Sequence, residues 1–269
     1  LAIINALVMP GGFIVRRDLR YGAQQRQALD VYLPQPIRRS APVVMFIYGG
    51  GWEDGSRSDY YFLGAALASR GYLTVIPDYR LWPQIRFPAF LEDCAAALRW
   101  SRDHAASLGG DPARLMLMGH SAGAYNAAML SLDTRWLRAV AMDPRRDVSG
   151  MIGLAGPYDF LPLDSDMLRD LFGPPDQLPL TQPINFVTPD APPMFLAAGS
   201  ADRTVDPGNT RRLAAKARAV GATVREAIYP GVDHRTLIGA IAAPLRFLAP
   251  TLHDCLGFLG RVTQGEQSG

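Results

Sequence analysis

LMLMGHSAGAYNAAM, residues 115–129, is the stretch whose reading decides the fold. Four unbroken apolar residues, 115–118, fit a strand buried on both faces, and the alanine-rich run after Gly123 fits a helix. Between them stand Gly119, His120, Ser121, Ala122 and Gly123, a G-x-S-x-G pattern at a strand-to-helix turn. Such a turn lifts a serine out of a sheet, and small neighbours let the helix close on the strand. The helix N-terminus favours developing negative charge. The bare pattern arises by chance in a chain rich in Gly and Ala, and a serine at a helix start is often only a cap. The strand–turn–helix setting is what favours a nucleophile at Ser121.

Outward from this stretch the chain alternates. QALDVYLP (27–34) and PVVMFIY (42–48) read as strands, and YYFLGAALASRG (60–71) as a helix closed by Gly71. The strand YLTVIPDY (72–79) and the long helix 87–110 follow, then the elbow. Beyond it come strands at 148–156, 193–200 and 223–230, with a helix over 208–221 and a final helix over 236–248. Apolar strands alternating with helices predict a mostly parallel α/β sheet covered on both faces. Ligands in such a sheet bind beyond the carboxyl ends of the strands. Residues 1–20 read as a leading segment, 21–260 as one domain, and 261–269 as a disordered tail. Within that domain 157–193 is proline-rich and too poor in apolar residues for a core of its own, so it reads as a small cap-like excursion.

Composition narrows the function. The 269 residues are 48% hydrophobic, enough for one full core. Lys and Arg number 27 against 25 Asp and Glu, and the arginines are scattered, which gives no electrostatic footprint for nucleic acid. Cys94 and Cys255 are too few for a disulfide framework or a metal cage and read as buried free thiols. No apolar run reaches membrane-spanning length, so the chain reads as soluble. LAIINALVMPGG at the start is compatible with a removed signal or anchor, which leaves the compartment open between cytoplasm and periplasm or secretion.

A nucleophilic serine needs a base, and the base a carboxylate to orient it. The four histidines allow elimination. His104 lies inside the long helix, His253 lies near the C-terminal end, and His120 is expected to turn away from the serine beside it. His234, in YPGVDHRTL, follows a strand and precedes a helix, which places it at a strand's carboxyl end. Asp202, just past another strand, is the expected acid, with Asp206 as rival and Asp233 as a helix-start residue. VVMFIYGGGWEDGSR (43–57) adds three glycines after a strand. Their amides carry no side chain in the way, so Gly50 and Gly51, with the Ala122 amide, are the expected oxyanion donors. Trp52, Tyr125, Tyr158 and Phe160 are candidate pocket walls; packing in the core explains an aromatic there equally well.

These motifs resemble a known family. YGGGW, LASRGYLTVIPDYRLWP, FPAFLEDCAAALRW, GDPARLMLMGHSAGA, GPYDF, GSADRTVDP and YPGVDH stand in the order found in the α/β-hydrolase branch of hormone-sensitive-lipase-like esterases, kynurenine formamidases and BD-FAE-like esterases. The likeness covers roughly Tyr21 to Pro250. It implies an α/β-hydrolase fold and a Ser121–Asp202–His234 triad acting on carboxylic esters, without metal or organic cofactor. An arylformamidase and a non-catalytic ligand receptor on the same fold are the alternatives it admits. The family's glycine loop usually begins with histidine, and this chain has Tyr48, whose hydroxyl can anchor the loop by hydrogen bonding.

Overall fold

The computed structural model describes residues 2–36 and 40–264. Among them eight strands form one sheet: β1 Phe13–Arg20, β2 Ala28–Pro34, β3 Ala41–Ile47, β4 Leu73–Pro77, β5 Gly110–His120, β6 Gly150–Leu154, β7 Met194–Gly199 and β8 Val224–Tyr229. Their order is β1-β2-β4-β3-β5-β6-β7-β8. The pairs β1–β2 and β2–β4 are antiparallel, and every other pair is parallel. Strands β4, β6 and β7 are buried along their whole length. Helices cover both faces of such strands, so the side chains must be apolar on each face, as a covered parallel sheet requires.

Parallel register puts the ends of β3, β5, β7 and β8 along one edge. Ile47 pairs with Gly119, His120 with Leu154, and Gly199 with Tyr229. The loops that leave these four strands carry the glycine run, Ser121, Asp202 and His234. The helix after β5, Ala122–Leu132, is buried at every residue. Its small side chains are what allow it to sit that deep.

Three expectations need correction. Residues 13–20, read as part of a leading segment, form an edge strand of the sheet. Asp18, at φ 58°, sits at a bulge between Arg16 and Leu19 that breaks the alternation. The run 236–248 is not one helix: His234–Gly239 is a short one, and Pro244 confines the next turn to Ala243–Leu245. The last helix is Thr251–Gln264, just after Pro250, so 261–264 is helical where a tail was expected, and 265–269 lie outside the described residues. Within the excursion, Asp166–Phe172 is a helix capped by Ser165. Its Leu171 carbonyl accepts from the Phe87 amide at 2.8 Å, which ties the excursion down to the long helix Ala89–Ala105. Both cysteines are buried and free.

Candidate active site

Ser121 follows β5 directly with φ 55° and ψ −125°. That is a costly conformation for a residue with a Cβ, and it persists only where surroundings enforce it. Here the Ser121 amide donates to the Leu154 carbonyl at 2.9 Å, and its carbonyl accepts from Ala124 and Tyr125 at 2.9 and 3.1 Å. The flanking glycines are required by contact. A Cβ on Gly119 would lie 2.2 Å from the Gly123 carbonyl oxygen, and one on Gly123 would lie 2.0 Å from that of Ile47.

The structure brings Asp202 and His234 together. His234 Nδ1 and Asp202 Oδ2 are 2.7 Å apart, while Asp202 Oδ1 accepts from the amides of Thr204 and Val205 at 2.8 and 2.9 Å. Burial alone would raise the Asp202 pKa; the bond from the imidazole and the two amides outweigh it and hold the carboxyl below its ordinary value. An ionised Asp202 makes Nδ1 the donor and leaves Nε2 as acceptor. No hydrogen bond joins Ser121 Oγ to this imidazole, a common looseness before substrate arrives. The rival carboxylates are engaged elsewhere. Asp206 Oδ1 accepts from the Gly208 amide at 2.9 Å, and its Oδ2 lies 3.5 Å from Arg212. Asp233 caps the helix by accepting from Thr236 at 2.7 Å.

His120 does not turn away from the site. It is buried, its ring centroid 4.6 Å from that of His234 and its Nε2 3.2 Å from the His234 carbonyl oxygen. Its Nδ1 has no partner. Burial, and next the neighbouring imidazole, push its pKa down to about 3. A neutral His120 with Nε2–H therefore donates to the backbone of the residue expected as base. Elimination among histidines missed it because 114 residues separate the two partners.

The glycine loop lies on the serine. A Cβ on Gly49 would stand 2.8 Å from Ser121 Cβ. The amides of Gly50, Gly51 and Ala122 reach no carbonyl among the described residues. Gly50 has φ +130° and Gly51 φ +61°. The Gly50 carbonyl turns the other way and accepts from Glu53 and Asp54 at 3.1 and 3.0 Å. Behind the loop Tyr48 is buried. Its hydroxyl accepts from Arg26 at 2.7 Å and donates to Asp78 at 2.8 Å, while its carbonyl accepts from the Tyr79 hydroxyl at 2.9 Å. Arg57 joins the same carboxylate and bonds Asp30 at 3.0 Å.

Of the four candidate pocket aromatics, three meet. Trp52 is edge-on to Tyr125 at 5.2 Å and stacks on Phe160 at 6.3 Å. Phe172 of the excursion and Phe90 of the long helix complete the cluster at 5.1 and 6.0 Å from Trp52. Tyr158 stands apart, its ring against Gly156 and its hydroxyl beside Gly153. The Trp52 indole donates to Asn126 at 3.0 Å. Asn126 was legible only as a polar residue inside an apolar helix. Among the described residues no three His, Cys, Asp or Glu side chains converge as a metal-binding group.

The family model described as BD-FAE matches residues 29–217, which span the glycine loop, the elbow and Asp202. The chain belongs to the BD-FAE family. It is similar to the probable isoprenylcysteine alpha-carbonyl methylesterase ICMEL1 of Arabidopsis thaliana, 28% identical over 83% of this chain and 51% of that protein. It is also similar to esterase LipC of Mycobacterium tuberculosis, 29% identical over 93% of this chain and 66% of that protein. The chain thus spans between half and two thirds of the length of these relatives. Among solved structures, Thermogutta terrifontis esterase 2 superposes with a TM-score of 0.74 at 25% identity, over 96% of this chain and 97% of that one. The BD-FAE match and this superposition agree with the α/β-hydrolase fold.

Proposed function

We propose that this protein is a serine carboxylesterase that hydrolyses small to medium acyl esters through an acyl-enzyme. The observation that carries the reading is the 2.7 Å bond between His234 Nδ1 and Asp202, at the same sheet edge as a serine held at φ 55°. Ser121 Oγ attacks the ester carbonyl while His234 Nε2 takes its proton, and Asp202 holds the tautomer and stabilises the imidazolium. The free amides of Gly50, Gly51 and Ala122 receive the oxyanion. His234 then returns its proton to the departing alkoxide, and water repeats the sequence on the acyl-enzyme. The esterase names of the relatives support the same reading. The methylesterase in the name of one relative makes methyl esters the first substrates to try.

The test is hydrolysis of a graded series of aryl acyl esters, with formylkynurenine as a parallel substrate, by the wild type and Ser121→Ala. Removal of the nucleophile should lower turnover by on the order of 10⁴–10⁶ while circular dichroism stays unchanged. A variant that keeps more than about a tenth of wild-type turnover sinks the assignment. Faster cleavage of the formamide than of every ester makes the protein an arylformamidase.

A further inference from the structure

A groove of about 490 Å³ lies between the N-terminal stretch and the segment after the His234 helix. Its floor is the helix Tyr61–Ala68, presented through Phe62, Ala65 and Ala66. Its walls include Leu7 and Met9 on one side and Ala243 and Pro244 on the other. Of its lining, Met9 is 81% exposed and Leu7 is exposed, and Ile3 and Phe247, each next in sequence to the lining residues Ile4 and Arg246, are 79% and 82% exposed among the described residues. Single exposed apolar residues need no explanation, but a contiguous set marks a surface that meets something.

Charge identifies the partner. Arg70 and Arg246 line this groove and also a second, smaller one beside it that includes His253. No carboxylate lines either groove, and among the described residues neither arginine forms a salt bridge. Each bonds uncharged groups alone, Arg70 the Ala66 carbonyl at 2.8 Å and the Ser69 hydroxyl at 3.5 Å, Arg246 the Ile241 carbonyl at 3.3 Å. Burial lowers the pKa of both, and Arg70 lowers that of Arg246 further, as two unneutralised like charges side by side must. A second copy docked face to face would bring the same patch onto itself and set four guanidinium groups together. An anionic partner with an apolar layer relieves both the exposure and the repulsion.

We propose that this face seats the protein on an anionic lipid surface, the rim of Ile3, Leu7, Met9 and Phe247 entering the acyl boundary while Arg70 and Arg246 take headgroup phosphates. Apolar insertion combined with basic side chains at headgroup level is how a protein lies on a membrane without crossing it. Among the described residues no helix is long and apolar enough to span one. The face adjoins the site through the chain: 242–246 follow the His234 helix, and Asn5 bonds the carbonyls of Ser58 and Asp59, a few residues past the glycine loop.

The experiment is co-sedimentation at low salt with vesicles of phosphatidylcholine alone or mixed with phosphatidylglycerol, alongside hydrolysis of a water-soluble ester. Wild type should pellet with the mixed vesicles and lose binding as salt rises. Arg70→Gln with Arg246→Gln should weaken that partitioning roughly 30-fold, toward the level with neutral vesicles. Met9→Ser with Phe247→Ser should weaken binding to both kinds. All variants should hydrolyse the soluble ester at the wild-type rate. Wild type staying in the supernatant, or pelleting equally after loss of both arginines, overturns the proposal. So does a concentration-dependent dimer that Met9→Ser with Phe247→Ser dissolves, because the partner would then be a second copy.

Discussion

Lowering the pH from 7 to 5 should destabilise the protein through His120. Folded, its imidazole is pushed down to about 3 by burial first and by His234 next. In the unfolded chain it returns to roughly 6.5. Between those values the unfolded state binds a proton that the folded state refuses, so stability is full above about 6.5 and falls as the pH drops toward 3. The slope is about 1.4 kcal/mol per pH unit, so reaching pH 5 costs about 2 kcal/mol from this one residue. Urea titrations of wild type and His120→Gln at the two pH values isolate it, because other titrating groups cancel in the difference. Glutamine keeps an N–H donor for the His234 carbonyl but takes up no proton. Wild type should lose about 2 kcal/mol more than the variant between pH 7 and 5. Equal losses would refute the picture of a neutral His120 sealed behind the site.

Asp202→Asn should lower kcat by on the order of 10⁴ while Asp206→Asn leaves it within about twofold, because only Asp202 sets the His234 tautomer; comparable kcat losses in the two would break the assignment. Gly50→Ala places a Cβ 2.1 Å from the Asp54 carbonyl oxygen, so the loop must move, and kcat should fall roughly 10²–10³-fold with KM little changed. Gly51→Ala meets nothing closer than 3.7 Å and carries only the strain of φ +61°, about 1 kcal/mol of stability; a larger kcat loss than at Gly50 would reverse their roles. Tyr48→Phe removes a buried hydroxyl between Arg26 and Asp78 and should cost about 1–3 kcal/mol in urea denaturation. A loss under roughly 0.5 kcal/mol would show that the anchor is dispensable.

The elbow, the glycine run and the alternation of strands with helices were readable because each is written locally. A serine between glycines at the end of an apolar run needs no distant partner to be recognised. Asp202 could be favoured over Asp206 from its place just past a strand; its two oxygens are filled by His234 and by its own loop amides. What stayed hidden depends on segments meeting. The His120 contact joins β5 to the loop after β8, and Phe172 reaches Trp52 from the excursion. β1 escaped notice because FIVRRDLR has four charged residues, as an edge strand with a bulge tolerates, and shows no clean alternation. The last helix was drawn too early because Pro244 and Pro250 interrupt an apolar run that otherwise has helical character.

The anchor of the glycine loop also sets how that loop responds to alkali. Here the holder is a phenol whose pKa is pushed well above its ordinary value, by burial and then by the neighbouring Asp78. The Tyr79 phenol that bonds the Tyr48 carbonyl is raised in the same way, by burial first and then by Tyr48 itself. Both keep their protons through the neutral and mildly alkaline range, so the anchorage behind Gly50 and Gly51 has no titration step there. A loop clasped by two buried phenols is thus indifferent to protons in that range, and a change of rate with rising pH there points to groups in front of the loop.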